Sequence, residues 1–126
     1  MLNSTLKELS IFIRTEDLAQ VTKILQNRGT GGITFYEING AGRTKREAVP
    51  EMVRSYMTGR TITPEYTKRT KVEAVVPESM AKEIVDEILI NISPGKEAHG
   101  MIFVKDVSEV YEIGTKTSGE AALSRK

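Results

Sequence analysis

The sequence predicts an α+β fold, a ferredoxin-like βαββαβ sandwich. Two features carry this reading: a strand–helix–strand pattern that occurs twice in the same order, and a long segment without periodicity between the two copies. Size is the third. With 126 residues, 39% of them hydrophobic and 28% charged, the chain suits one compact domain over residues 1–126.

In the first unit Leu9, Ile11 and Ile13 alternate with Ser10 and Arg14, the period of a strand, and Phe12 makes its second face partly apolar. Thr15 is the expected N-cap of the helix that follows, with Glu16 and Asp17 at the favourable positive end of its dipole. Leu18, Val21, Ile24 and Leu25 recur at helical spacing and form its buried stripe. Gly29 ends the helix, Thr30-Gly31-Gly32 turns the chain, and the β-branched and aromatic run Ile33–Ile38 is the second strand.

The second unit repeats this order. Val72–Val76 is a strand that Pro77 ends, because its missing N–H cannot continue a ladder. Glu78 and Ser79 open a helix with a broad apolar face of Ile84, Val85, Ile88, Leu89 and Ile92, broken by Ser93-Pro94-Gly95. Met101–Val104 is the fourth strand, which Val110–Ile113 extends or follows, and residues 115–126 read as a mobile polar tail. Right-handed crossovers put both helices on one sheet face. Phe12 and Phe103 then leave the opposite face apolar, and oligomerisation is the economical cover.

Charge and composition exclude several functions. Eighteen basic and seventeen acidic residues give a net charge of +1, so the whole chain is no electrostatic binder of nucleic acid or membrane. The absence of cysteine excludes disulfides and thiol chemistry, and the single histidine, His99, excludes a zinc site with several His ligands. With no 18-residue apolar run and no signal-peptide pattern, a soluble cytoplasmic domain is expected. The charge is unevenly spread, however. Residues 40–72 carry eight basic and three acidic side chains, while the remainder is acidic. A long, charged, unpatterned connection is expected to bind a partner or ligand rather than to hold the fold together.

Strand two closes on Gly40-Ala41-Gly42-Arg43, a long polar loop follows, and strand three closes on Val75-Val76-Pro77-Glu78. With Gly100-Met101-Ile102-Phe103-Val104 in the fourth strand, this order resembles the PII signalling proteins over residues 6–45 and 69–113. The resemblance implies a homotrimer that binds adenine nucleotides (AMP, ADP, ATP or cyclic AMP) in clefts between subunits. It also implies a T-loop, about residues 43–66, that docks on a transporter or enzyme of nitrogen or carbon assimilation, and a B-loop at about 93–100. The matching nucleotide contacts are Gly32, Ile33 and Thr34 at the start of strand two, and Glu73 and Val75 on strand three. Gly40, Ala41, Gly42 and Arg43 match at the foot of the T-loop, and Ala98, His99 and Gly100 at the end of the B-loop. Glycine suits a backbone that approaches phosphate closely. Arg46, Arg54, Tyr56 and Arg60 are the expected partner-binding residues of the T-loop.

Four positions depart from the family pattern. Thr44 stands where a Gln helps hold 2-oxoglutarate and metal, Met101 replaces the basic residue of the B-loop, and Glu112 and Gly114 replace two phosphate-binding arginines. Each lost charge-assisted hydrogen bond is worth roughly 1.5–3 kcal/mol. AMP, ADP or cyclic AMP is therefore expected to bind at least as well as ATP, with 2-oxoglutarate and Mg contributing little. Ser108–Gly114 looks more like the PII-like branch that regulates bicarbonate transport and lacks the same arginines. Membrane contact is expected only through a transporter partner.

The alternative is an RNA-binding module, since RRM domains share the topology. Against it, Met101 replaces the stacking aromatic of the nearest likeness to their core motif, aromatic content is 6%, and the basic residues lie in the loop. No nucleic-acid partner is expected. No enzyme is expected either, because no acid–base pair, metal-ligand spacing or P-loop signature is present.

Overall fold

Alternation along Leu6–Ile13 (β1) puts Leu9, Ile11 and Ile13 on one side of the backbone, where all three are buried. The computed structural model describes residues 5–40, 53–54, 61–62, 67–92 and 100–123. After β1 come the helix Leu18–Asn27 (α1), strand Thr34–Gly40 (β2), the two-residue strands Val53–Arg54 (β3) and Thr61–Ile62 (β4), and strand Thr67–Pro77 (β5). Helix Glu78–Asn91 (α2) and strand Met101–Val107 (β6) follow.

Four strands form one sheet in the order β2-β5-β1-β6, and every neighbouring pair is antiparallel. This is the order of the expected ferredoxin-like sandwich, with each second strand of a βαβ unit separated from its first by one strand. Register aligns the apolar positions: Ile11 stands opposite Val72 on one side and Ile102 on the other, and Leu9 opposite Ala74. Val21, Ile24 and Leu25 of α1 and Ala81, Ile84 and Ile88 of α2 pack on Leu9, Ile11, Val72, Ala74 and Val76 as one core. Truncating one of these side chains to Ala costs roughly 2–5 kcal/mol. Arg28 bridges the helices, its Nε 3.0 Å from Glu87 and its Nη1 3.0 Å from Glu83.

Gly29 ends α1 as the sequence predicts. Its φ is +80°, its N–H donates to Gln26 O at 3.0 Å, and Thr30 N–H donates to Leu25 O at 3.1 Å. That pair of bonds satisfies the last helical carbonyls in a Schellman arrangement.

Four expectations are corrected. Thr15 does not cap α1: residues Thr15–Asp17 form a 3-10 turn, and the Thr15 hydroxyl bonds the Thr70 hydroxyl at 3.0 Å instead. Arg14 holds Asp17 from the side, Nε to Oδ2 at 2.9 Å, so the acidic first turn is tied to an ion pair as well as to the dipole. Leu89 is 63% exposed and leaves the apolar face of α2, which narrows to Ala81, Ile84 and Ile88 with Val85 and Ile92 at its margin. Val110–Ile113 is no strand. Tyr111 makes a single bridge to Ser118, and residues 115–123, read as a polar tail, fold back through that bridge into a helical turn at Gly119–Leu123.

Between the halves, among the described residues, β3 and β4 pair with each other, Val53 opposite Ile62 and Arg54 opposite Thr61. The second sheet face remains uncovered: Met101 is 39% and Phe103 47% exposed.

Candidate functional site

Where β2 begins beside β5, the sheet and the C-terminal segment enclose a cleft of about 650 Å³. Gly31 and Gly32 form its rim, Thr34 and Glu73 stand opposite each other in register on its floor, and Ala74 and Val75 continue the floor along β5. Val110, Tyr111 and Glu112 make the facing wall, and Ala122 and Leu123 of the final turn close one side.

The wall is held by its own carboxylate. Glu112 accepts hydrogen bonds from Gly114 N–H at 3.0 Å and Thr115 N–H at 2.7 Å, and its backbone N–H donates to Thr117 O at 2.9 Å. Gly119 N–H then donates to Val110 O at 2.9 Å, which brings the last turn back over β5.

On the floor, Glu73 Oε1 lies 2.9 Å from Lys71 Nζ and accepts a hydrogen bond from the Tyr36 hydroxyl at 2.9 Å. These two donors, Lys71 before Tyr36, hold the Glu73 carboxyl below the usual carboxylate range. The same contact, with Glu73 as its main partner, raises Lys71 above the ordinary lysine value. The third carboxylate of the cleft, Glu8, stands opposite Val75 and Lys105 in register. No lysine, arginine or histidine lines the cleft among the described residues. Nor is there any cluster of three metal-ligating side chains among them.

The residues expected at the site divide by position. Gly32, Thr34, Glu73 and Val75 come together in the cleft. Ile33 does not join them; it packs against the hydrophobic core, as the β-branched residue between two outward neighbours. Gly40 ends β2 opposite Thr67, six residues from Thr34 and so roughly 20 Å along the strand. Gly100 leads into β6, where a Cβ would lie 1.9 Å from the Phe12 carbonyl oxygen; close approach to β1 requires glycine there. Arg54 belongs to β3. Ala41, Gly42, Arg43, Arg46, Tyr56, Arg60, Ala98 and His99 lie outside the described residues. Sequence reasoning missed Glu8, Gly31, Ala74, Val110, Tyr111, Ala122 and Leu123 as lining. The apolar run Ala121-Ala122-Leu123 in a mostly polar tail was the available signal.

The family model for nitrogen regulatory protein P-II matches residues 6–117. The chain belongs to the P-II family. It is 32% identical over 118 residues to nitrogen regulatory protein P-II 2 of Methanothermobacter thermautotrophicus, covering 94% of this chain and 97% of that one. To nitrogen regulatory protein P-II 1 of Escherichia coli it is 30% identical over 118 residues, covering 94% and 100%. Among solved structures, GlnK of B. subtilis superimposes with a TM-score of 0.72 at 22% identity, over 95% of this chain and 100% of that chain. Its ATP complex gives 0.70 at 20%, covering 94% and 98%, and Arabidopsis thaliana PII bound to citrate gives 0.69 at 24%, covering 94% and 92%. P-II proteins are regulatory, non-catalytic signalling proteins, and trimers are characteristic of the family. Family membership displaces the RNA-binding alternative. No helix among the described residues is long and apolar enough to cross a membrane.

Proposed function

We propose that this P-II protein senses adenine nucleotides in a cleft completed by a second copy of the chain. It reports their presence through residues 43–66 to a transporter or enzyme of nitrogen or carbon assimilation. The observation that carries the reading is the gathering of Gly32, Thr34, Glu73 and Val75, four residues matched to the family's nucleotide contacts, into one cleft. The separation of Gly40 from Thr34 supports the shared site: one chain holds the two groups at opposite ends of β2, so the Gly40–Arg43 foot that meets phosphate comes from a neighbour in a homotrimer. The uncovered sheet face with Phe12, Met101 and Phe103 supplies the apolar surface for that assembly.

The cleft's charge sets the nucleotide preference. A wall bearing Glu112, with no cation among the described lining residues, favours the nucleoside and disfavours a distal phosphate, most strongly where water is excluded. AMP, ADP or cyclic AMP therefore binds at least as well as ATP, and 2-oxoglutarate adds little because Thr44 replaces its usual amide ligand. Calorimetry on the purified oligomer with AMP, ADP, ATP and cyclic AMP, with and without Mg and 2-oxoglutarate, tests this. Clearly tighter ATP binding with strong 2-oxoglutarate synergy would overturn the preference, and no binding of any nucleotide would overturn the reading.

A further inference from the structure

The open sheet face carries a connected cluster from four strands. Tyr36 of β2 and Phe12 of β1 both stand opposite Lys71 of β5, one on each side. The Lys71 ammonium lies 5.3 Å from the centre of the Phe12 ring and 5.7 Å from that of Tyr36, and Phe12 meets Phe103 of β6 edge to face. Register makes Tyr36 the diagonal neighbour of Glu73, a separation a tyrosine can span. Its hydroxyl donates to Glu73 Oε1 at 2.9 Å, the atom that Lys71 also reaches at 2.9 Å. Oε1 is thus satisfied twice. No hydrogen bond reaches Oε2 among the described residues, and Glu73 lines the cleft beside Thr34.

Resting on the nucleotide-sensing reading, we propose that Tyr36 is a positioning residue of the cleft: together with Lys71 it fixes Oε1 of Glu73 so that Oε2 faces the ligand as a fixed acceptor for an O–H or N–H donor of the nucleoside. The two donors act differently. Lysine is a point charge on a flexible four-carbon stem, so it neutralises the carboxylate without fixing its plane. Tyrosine has two side-chain torsions and one hydroxyl, so it fixes an angle. A preset acceptor spends less ordering entropy when the ligand arrives, and an analogue lacking the matching donor leaves a carboxylate oxygen unpaired. Besides Lys71 and Tyr36, the charged groups around Glu73 are Lys105 of β6, which also favours its ionised form, and Glu8 and Glu112 of the cleft.

The test uses the full chain, with AMP, 2′-deoxy-AMP, 3′-deoxy-AMP and IMP as calorimetric probes; the deoxy arms report a sugar hydroxyl and IMP the exocyclic amine. Wild type should discriminate against one of these analogues. Tyr36→Phe, which keeps the ring and its packing, should weaken AMP about three- to tenfold and shrink that discrimination by a similar factor. In a Glu73→Gln background, the same change should have no further effect. The ratio of variant to wild-type affinity should also fall as pH is lowered from 8 to 5, because Glu73 loses a partner that favours its ionised form. Wild type that binds no adenine nucleotide would overturn the nucleotide reading and this assignment with it. Wild type that binds while Tyr36→Phe keeps its affinity, analogue pattern and pH profile would overturn the role of Tyr36 alone, as would additive effects of Tyr36→Phe and Glu73→Gln.

Discussion

At Gly100 the chain has no room for a side chain, since an added Cβ would meet backbone at the Phe12 carbonyl. Gly100→Ala should therefore destabilise by roughly 1–3 kcal/mol, the usual cost of overpacking, read as a lower urea midpoint with an unchanged slope. Glu73 makes a different prediction because its carboxyl is held below its ordinary value. The stability this adds is present above the unfolded-state carboxylate pKa and is lost as pH falls through the lower folded-state value. Glu73→Gln should then lower the urea midpoint at pH 7 and flatten its fall on acidification, compared with wild type. Lys71 has the opposite sign: its raised value gives stability that is complete below the ordinary lysine range and lost as pH rises through the raised one. The family resemblance grouped Gly32, Ile33, Thr34, Glu73 and Val75, and all but Ile33 line one cleft. The hydroxyl of Tyr36 on Glu73 was not legible in the sequence, since it joins positions 37 apart whose proximity exists only once β2 and β5 are in register.

Helix α1 was read almost to its ends, whereas the strands read as Val72–Val76 and Met101–Val104 run Thr67–Pro77 and Met101–Val107, because their polar ends carry no apolar period. The stripe Leu18, Val21, Ile24, Leu25 gave α1, and Gly29 gave its stop. Segments set by side-chain-to-backbone bonds were not legible. Residues 112–119 are shaped by the Glu112 carboxylate on two N–H groups and by Lys116 at a φ of +63°, neither of which leaves a period in the sequence. Glu112→Ala should loosen this segment by about 1 kcal/mol or more, seen as faster amide hydrogen exchange at Gly114 and Thr115 while the core strands remain protected. Slow exchange at both amides in the variant would mean that the Tyr111–Ser118 bridge alone holds the turn.

For the whole molecule, assembly and signalling should be separable. Among the described residues the β3–β4 pair shares no strand hydrogen bonds with the four-stranded sheet, so removing it leaves that sheet's ladders intact. Deletion of residues 47–62 is expected to preserve a trimer and its nucleotide affinity while abolishing capture of the target protein. Light scattering and calorimetry check the first two, and an unfolded deletion variant would make the loop part of the fold. Scattering from the intact chain should return three copies at micromolar concentration; a monomer would leave the face around Phe103 without its cover.

β5 runs unbroken through eleven residues, from the foot of the central segment at Thr67, past Glu73 and Val75, to Pro77 at the start of α2. Like β1, it is an interior strand, held by β1 on one side and by β2 on the other. Such a strand cannot slide, because a shift of one residue would turn Val72, Ala74 and Val76 outward and Lys71 and Glu73 into the core. With sliding closed, the movement left to β5 that keeps its register is a change of twist shared with β1 and β2, so a ligand held at Glu73, as proposed above, would reach the root of the loop at Thr67 by winding or unwinding the strand.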